Sequence, residues 1–145
     1  MVAAYNATRG RRPTGTIEVR NVGDGSLVSR AVASGKPLDV ALGPSILAVL
    51  TDDGGQRSIE RFAVPSGRAA GTTSVASDAT NLGIWARSIV YRSRSRIYVV
   101  DPSTGKRRLA AVARSRPIGM TIEDNRILWA ENSRRGNRLV WTPAR

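Results

Sequence analysis

One short pattern recurs along the chain at nearly constant spacing. It is an apolar run followed by a turn rich in proline, serine and glycine, as in SIERFAVPSG at residues 58–67 and RIYVVDPSTG at residues 96–105. Related runs begin at residues 16 and 138, and the first apolar positions of the four copies lie 42, 38 and 42 residues apart. Those positions are Ile17, Ile59, Ile97 and Leu139. The spacing indicates a structural repeat of about 40 residues made of short strands.

Repeats of that length, built from strands, are typical of β-propeller blades. We therefore predict an all-β chain of about three blades, each a four-stranded antiparallel sheet. A β-sandwich also has frequent turns, but it would not repeat one four-strand pattern with the turn in the same place. The predicted domain spans residues 16–145 and follows a flexible basic lead at residues 1–15. Its blade pieces are residues 16–35, 36–78, 79–115 and 116–145.

The first and last pieces are predicted to be incomplete blades. The first has sequence for two strands and the last for three, which makes 13 predicted strands in the chain. An open stack of blades leaves strand edges and apolar sheet faces exposed, and such edges favour association. Two arrangements would cover them: a homodimer that closes a six-bladed ring, or a longer propeller of which this chain is a piece.

The strand and turn at residues 97–106, IYVVDPSTGK, resemble the repeat of TolB-like and YVTN-type β-propeller proteins. Residues 58–67 are a looser copy, and the resemblance covers roughly residues 16–142. It implies a propeller fold but no single function, since that superfamily includes scaffolds, binding proteins and enzymes. The chain lacks the Trp-Asp dipeptide of WD repeats and the Trp-Ser-Pro-Asp-Gly segment of the stricter TolB repeat.

The absence of two residue types excludes several kinds of catalytic site, metal site and crosslink. The chain has no histidine and no cysteine, which excludes Ser-His-Asp hydrolysis, histidine-bound zinc and disulfides within this sequence. The adjacent acids Asp52-Asp53 and Glu123-Asp124 fit turns better than acid/base pairs, because neighbouring residues of a strand point to opposite faces. We therefore expect no enzyme activity, no cofactor and no metal site.

The chain is strongly basic, with a net charge of +12 and 21 of its 23 cationic residues arginine. Such a charge attracts nucleic acid, acidic glycan, acidic lipid or an acidic protein. A GC-rich coding bias also raises arginine and alanine together, so both explanations stay open. We expect no membrane span, because no apolar run approaches the roughly 20 residues that a spanning helix needs. Residues 1–15 also lack the apolar stretch of a secretory signal peptide.

The candidate binding residues are the cations of one loop face. In a propeller, the loops that enter each innermost strand and those that join the second and third strands lie on the same side, and guanidinium groups suit carboxylates and phosphates. We predict a non-enzymatic module that binds a protein or other partner through this face. The alternatives are an anionic polymer bound by the same residues, or a fragment of a larger propeller enzyme. The candidate residues are Lys36, Arg92, Arg94, Arg96, Arg116, Arg134, Arg135 and Arg138.

Overall fold

The computed structural model describes residues 2–9, 12–133 and 136–144. In these ranges the chain forms fourteen β-strands arranged in four antiparallel sheets, with no helix. The predicted all-β class and the four-stranded antiparallel sheets are confirmed. Nothing in the described part of the chain forms a helix that could cross a membrane.

The chain divides into two compact units, residues 1–77 and 78–145. The division falls within one residue of a predicted boundary between blade pieces, which was placed after residue 78. Each unit contains two sheets, and each has a hydrophobic core of its own.

The first sheet has three strands, in the order β1 (Val2–Arg9), β2 (Arg12–Asn21) and β3 (Leu27–Val32). Residues 2–9 and 12–15, which belong to the predicted lead, supply β1 and the start of β2. β2 offers backbone hydrogen bonds at both of its edges, and β3 satisfies only one of them. β1 pairs with the other edge, from Val2 opposite Asn21 to Arg9 opposite Arg12. The first sheet therefore has three strands: two that lie in or extend into the predicted blade piece at residues 16–35, and one from residues 2–9, which were assigned to the lead.

The second sheet is a complete blade, in the order β4 (Lys36–Leu42), β5 (Ile46–Asp53), β6 (Gln56–Ala63) and β7 (Ala69–Ser74). The two middle strands are the most buried, as expected for strands covered on both faces.

Apolar residues of β2 and β5 form the core of the first unit. Ile17 and Val19 alternate along β2, so both side chains lie on one face of the first sheet. They pack in one cluster with Leu47, Val49 and Phe62 of the second sheet, all at most 4% exposed. Ile17 and Val19, which are two residues apart in β2, thus form part of the contact between the first and second sheets.

The third sheet is also a complete blade. Its order is β8 (Ala79–Trp85), β9 (Ser88–Ser93), β10 (Arg96–Val100) and β11 (Arg107–Val112). Tyr91 of β9 is fully buried, and its ring stacks on Tyr98 of β10 with the ring centroids 5.1 Å apart.

The fourth sheet has three strands, as predicted, in the order β12 (Pro117–Glu123), β13 (Arg126–Ser133) and β14 (Gly136–Pro143). Its inner side packs on the third sheet, where Ile127 and Trp129 join a cluster with Ile97 and Val99.

One turn recurs three times with the same backbone hydrogen bonds. In each copy the first residue donates to the carbonyl of the sixth, and the fifth donates to the carbonyl of the first. The copies are residues 21–26, 63–68 and 101–106, spaced by the same 42 and 38 residues as the sequence repeat. The fifth residue must adopt a positive φ, which glycine allows without steric cost. These glycines are Gly25, Gly67 and Gly105, with φ of 70°, 70° and 73°.

Two buried carboxylates hold the segments that link one sheet to the next. Glu60 of β6 accepts hydrogen bonds from Ser34, at 3.1 Å from the backbone nitrogen and 2.8 Å from the hydroxyl. Glu131 of β13 accepts one from the backbone nitrogen of Arg114 at 3.0 Å. Ser34 precedes β4 and Arg114 precedes β12, so each carboxylate fixes the chain just before an innermost strand.

Candidate functional site

Three of the candidate arginines lie around the turn between β9 and β10. Arg92 is near the end of β9 opposite Ile97, Arg94 lies in the turn with φ 51°, and Arg96 begins β10. Alternation along the strands and the turn sends these side chains to different environments. Arg94 and Arg96 are exposed, whereas Arg92 is only 8% exposed.

Arg92 is a buried cation held by an amide. Its Nε donates a hydrogen bond to Oδ1 of Asn81, a residue of β8 whose positive φ of 54° suits asparagine. None of the ion pairs within the described ranges includes Arg92. Burial lowers the pKa of the Arg92 guanidinium, and the nearby Arg116 lowers it further, while Asp78 raises it. Arg92 is therefore a desolvated positive charge with a neutral hydrogen-bond partner.

Asp78 is a carboxylate of this region, and it already has two partners, Ser93 and Arg94. Its Oδ1 accepts a hydrogen bond from the Ser93 hydroxyl at 2.6 Å, and its Oδ2 lies 3.3 Å from Nε of Arg94. The hydrogen bond from Ser93 is the main cause that lowers the pKa of Asp78, so the group is ionised at neutral pH. Asp78 thus forms an ion pair with Arg94, and its negative charge also raises the pKa of Arg92.

Arg116 lies at the entry to β12 and is exposed. The charge of Arg116 is one of the causes that lower the pKa of Arg92. Both residues are predicted to lie on one loop face, and both belong to the second unit. We call the group Arg92, Arg94, Arg96 and Arg116 the arginine rim.

Arg138, another predicted binding residue, has a structural partner. It lies opposite Glu131 in the β13–β14 pair, and its Nε donates to Glu131 Oε2 at 2.7 Å. Its Nη2 donates to the same oxygen. Oε1 of this carboxylate accepts a hydrogen bond from Trp129 Nε1 at 2.8 Å and another from the Arg114 backbone. Arg138 therefore neutralises a buried carboxylate of its own sheet and does not belong to the arginine rim.

Lys36 lies in the first unit, at the start of β4, beside an ion pair. Asp52 Oδ2 is 3.2 Å from Arg57 Nε, and Asp52 Oδ1 accepts a hydrogen bond from the Gly55 nitrogen at 2.8 Å. The Gly55 hydrogen bond is the largest cause that lowers the pKa of Asp52, and the charge of Lys36 adds to it. Lys36 thus lies opposite Asp52, beside the Asp52–Arg57 ion pair of the first unit. The last two predicted binding residues, Arg134 and Arg135, lie outside the described residues.

Two features of the site were not predicted from the sequence. The first is the burial of Arg92, and the second is the Glu131–Arg138 pair. The sequence does contain a signal for the Glu131–Arg138 pair. Glu131 directly follows the apolar run at residues 127–130, and a charge in a buried strand needs a partner.

In the described residues, no group of three or more Asp, Glu, His or Cys side chains is placed to hold a metal ion. The Asp52-Asp53 pair lies at the turn predicted for it, which Gly54 and Gly55 complete with positive φ.

A second basic region lies at the opposite end of the third sheet. A cavity of about 290 Å³ is lined there by Arg87, Asp101 and the basic residues at 106–108. Asp101 Oδ1 accepts hydrogen bonds within its own turn, from Ser103 at 2.7 Å and 2.5 Å. Because Arg87 and Arg94 lie at opposite ends of β9, this region supplies controls for experiments on the arginine rim.

Comparisons with known proteins identify the fold. No known protein family and no curated protein matches the sequence. Solved structures do match, among them BamB from Moraxella catarrhalis, with a TM-score of 0.57 and 15% identity over 90% of this chain and 41% of that one. A chain of a nidogen/laminin complex matches with a TM-score of 0.55 and 15% identity, over 88% of this chain and 54% of that one. PorZ, a surface component of the type-IX secretion system of Porphyromonas gingivalis, matches with a TM-score of 0.50 and 19% identity, over 90% and 19%.

These neighbours are β-propeller-type proteins, so the chain has a propeller-like fold. At such identities the likeness concerns the fold alone. The chain spans 41% and 54% of the length of the first two structures. The resemblance to TolB-like and YVTN-type repeats stays a prediction, because none of these neighbours assigns the chain to that family.

Proposed function

We propose that this chain is a non-enzymatic propeller-type binding module, and that its arginine rim recognises a protein partner. The observation that carries the proposal is the turn between β9 and β10, where Arg94 and Arg96 are exposed and Asp78, the carboxylate paired with Arg94, already accepts a hydrogen bond from Ser93. Arginine is enriched at protein interfaces, and its planar group binds carboxylates through two parallel hydrogen bonds. One structural neighbour was solved as a nidogen/laminin complex, which supports protein recognition by a sheet architecture of this kind.

The test first identifies the partner by photo-crosslinking and then reverses the charge of the two exposed arginines of the rim, Arg94 and Arg96. A photo-crosslinking residue at position 96 should capture a partner from an extract of the source organism, whereas one at position 106, at the other end of the sheet, should not. The captured protein is then purified and titrated against the chain by calorimetry. We expect Arg94→Glu with Arg96→Glu to weaken binding by about tenfold or more, because charge reversal turns attraction into repulsion.

The matched control is Arg87→Glu with Lys106→Glu, which changes the net charge equally but lies at the opposite end of the third sheet. We expect it to alter the affinity by less than about twofold, apart from long-range steering. Equal losses in both double variants would contradict recognition through the rim. A crosslinked product at twice the chain mass of 15.6 kDa would instead identify a second copy of the chain as the partner, as in the predicted homodimer.

An anionic polymer is the competing candidate, and the net charge of +12 together with the exposed Arg94 and Arg96 favours it. Under this alternative, binding to single-stranded DNA or heparin weakens steeply with salt, because each phosphate or sulfate contact releases counterions. Arg94→Gln with Arg96→Gln should then reduce the slope of log affinity against log salt by about one to two. Retention that does not change with salt concentration would exclude this candidate.

A further inference from the structure

The fourth sheet exposes an apolar face whose counterparts in earlier sheets are buried. Leu139 and Trp141 of β14 are 71% and 59% exposed. They alternate along the strand, so both lie on one side of the sheet, which we call the outer face. The repeat spacing aligns them with pairs of residues in β2 and β10 that are at most 6% exposed. These pairs are Ile17 with Val19 and Ile97 with Val99.

Within each unit, one kind of strand covers the equivalent pair. The covering residues come from the second strand of the following sheet, and they are also two residues apart. In the second unit they are Ile127 and Trp129 of β13, and in the first unit Leu47 and Val49 of β5. The expected cover of the outer face is therefore the second strand of another sheet of this kind.

The middle of the outer face is uncharged. The residues on this side of the sheet line an open cavity of about 290 Å³. They are Gly119, Thr121, Leu128, Ala130 and Leu139. Arg126 lies at the start of β13, with its guanidinium carbon 5.4 Å from the centre of the Trp141 ring. A face of this composition suits an uncharged apolar strand better than an acidic peptide or polymer.

Strand β1 of a second copy of the chain has the required position and composition. Tyr5 lies opposite Glu18 in the first sheet, as Val49 lies opposite Glu60 in the second, and the two glutamates are equivalent positions 42 residues apart. The register therefore makes β1 the second-strand counterpart of β5. Residues 2–8 of β1, VAAYNAT, include no charged residue. Strands β5 and β13 already cover a preceding sheet, whereas β1 belongs to the first of the four sheets.

We propose that the outer face of the fourth sheet binds the first sheet of a second copy of the chain, with β14 packed against β1. This contact repeats between two molecules the packing that joins successive sheets within each unit. It goes beyond the proposed function, because it uses a surface other than the arginine rim. Each copy carries a net charge of +12, so salt that screens their repulsion should strengthen the contact. Binding of an anionic polymer has the opposite salt dependence.

Analytical ultracentrifugation tests whether the chain associates. We expect the mass to rise from 15.6 kDa to at least twice that value as the concentration is raised to about 100 μM. The rise should begin at a lower concentration in about 0.5 M sodium sulfate than in dilute buffer, because sulfate both screens charge and favours apolar burial. A mass that stays at 15.6 kDa in both solutions would overturn the proposal.

A charge on the outer face should weaken the association. Leu139→Glu lowers the repulsion between copies but places a carboxylate against an apolar surface, so we expect association to weaken by about tenfold or more. The matched control is Leu109→Glu on β11 of the third sheet, where the leucine is 50% exposed and the charge change is the same. We expect it to weaken association by less than about twofold, and neither exposed substitution should alter the melting temperature of the dilute protein much. Equal weakening by both would contradict the assignment to the outer face.

Photo-crosslinking in the otherwise unchanged chain identifies the occupant. A benzophenone side chain in place of Leu139 keeps the face apolar, and mixing ¹⁵N-labelled with unlabelled copies distinguishes links between chains from links within one. We expect a link between chains to the tryptic peptide of residues 1–9, which contains β1 and ends at Arg9. A link to residues 136–143 of the other copy would show two fourth sheets facing each other. A link within one chain would show that the chain covers its own face, and either result would overturn the proposal.

The outcomes distinguish this inference from the proposed function. Leu139→Glu should bind the partner captured at position 96 as tightly as the wild type does. Arg94→Glu with Arg96→Glu should keep the self-association. If that partner binds but the chain stays monomeric, the inference is wrong and the proposed function stands. If the chain associates through β1 but no partner is captured at position 96, the self-association stands and the proposed recognition through the arginine rim is wrong.

Discussion

Replacing Glu131 with glutamine should lower the free energy of unfolding of the second unit by about 3 kcal/mol. Glu131 is 1% exposed and receives hydrogen bonds on both oxygens. Trp129 and the Arg114 backbone donate to Oε1, while Arg138 donates to Oε2. Glutamine has one carbonyl oxygen, which can satisfy the first two donors only by turning its NH₂ group toward the Arg138 guanidinium. Two donors would then face each other, and Arg138 would lose its counter-charge.

Tryptophan fluorescence measures this effect directly, because all three tryptophans of the sequence lie in residues 78–145. Urea unfolding followed by fluorescence should show a lower midpoint for Glu131→Gln. Glu123→Gln is the matched control, since Glu123 is an exposed carboxylate of the neighbouring strand β12. We expect it to change the free energy of unfolding by less than about 0.5 kcal/mol. Equal effects of the two substitutions would show that only the loss of one negative charge matters.

The same carboxylate should make stability depend on pH in the acid range. Burial raises the pKa of Glu131, but the hydrogen bonds from Trp129, Arg138 and Arg114 lower it by more, so the net shift is below the ordinary value of 4.5. A folded-state pKa below the unfolded one stabilises the protein above about pH 4.5, and this contribution is lost as the pH falls through the folded-state value. The difference in stability between wild type and Glu131→Gln should therefore shrink below that pH.

The sequence repeat predicted most of the fold because its turns obey a local rule. Gly25, Gly67 and Gly105 occupy one position of one turn, and that position needs a positive φ. A local requirement of this kind is visible in the sequence wherever it recurs, so both the spacing and the strand order could be inferred. Strand β1 was missed because its evidence is not local. It forms by pairing with β2, and the sequence of residues 1–15 contains no copy of the repeated turn.

The site was predicted less completely, for a reason that Arg92 and Arg138 illustrate. The sequence shows which cations lie near a turn, but not which face of each strand the neighbouring sheet covers. Arg92 lies opposite the fully buried Ile97, so its side chain is on the same covered face of the sheet and is buried. Arg96 is exposed. The partner of Arg138 depends on the register of β13 and β14, which places it opposite Glu131. Burial and register are tertiary properties, and both decide whether an arginine can bind a ligand.

Replacing Gly67 with alanine should destabilise the first unit by about 2–5 kcal/mol, through two effects that add. The φ of 70° costs an alanine about 1–2 kcal/mol at any site. In addition, a Cβ on Gly67 would overlap the backbone carbonyl oxygen of Arg30, which lies on β3 of the preceding sheet. That oxygen belongs to a paired strand and cannot move without disturbing the packing of the two sheets.

Gly25 provides the control that separates these two effects. It occupies the same position of the same turn, its φ is also 70°, and a Cβ there would have no neighbour within 4 Å. Gly25→Ala should therefore cost only the backbone strain of about 1–2 kcal/mol. Hydrogen exchange of the amides at residues 57–74 should rise strongly in Gly67→Ala and little in Gly25→Ala, because only the first substitution forces the second sheet away from the first. If the two alanines proved equally destabilising, the close approach of Gly67 to Arg30 would not contribute to stability, and the strain of the turn alone would explain why glycine recurs there.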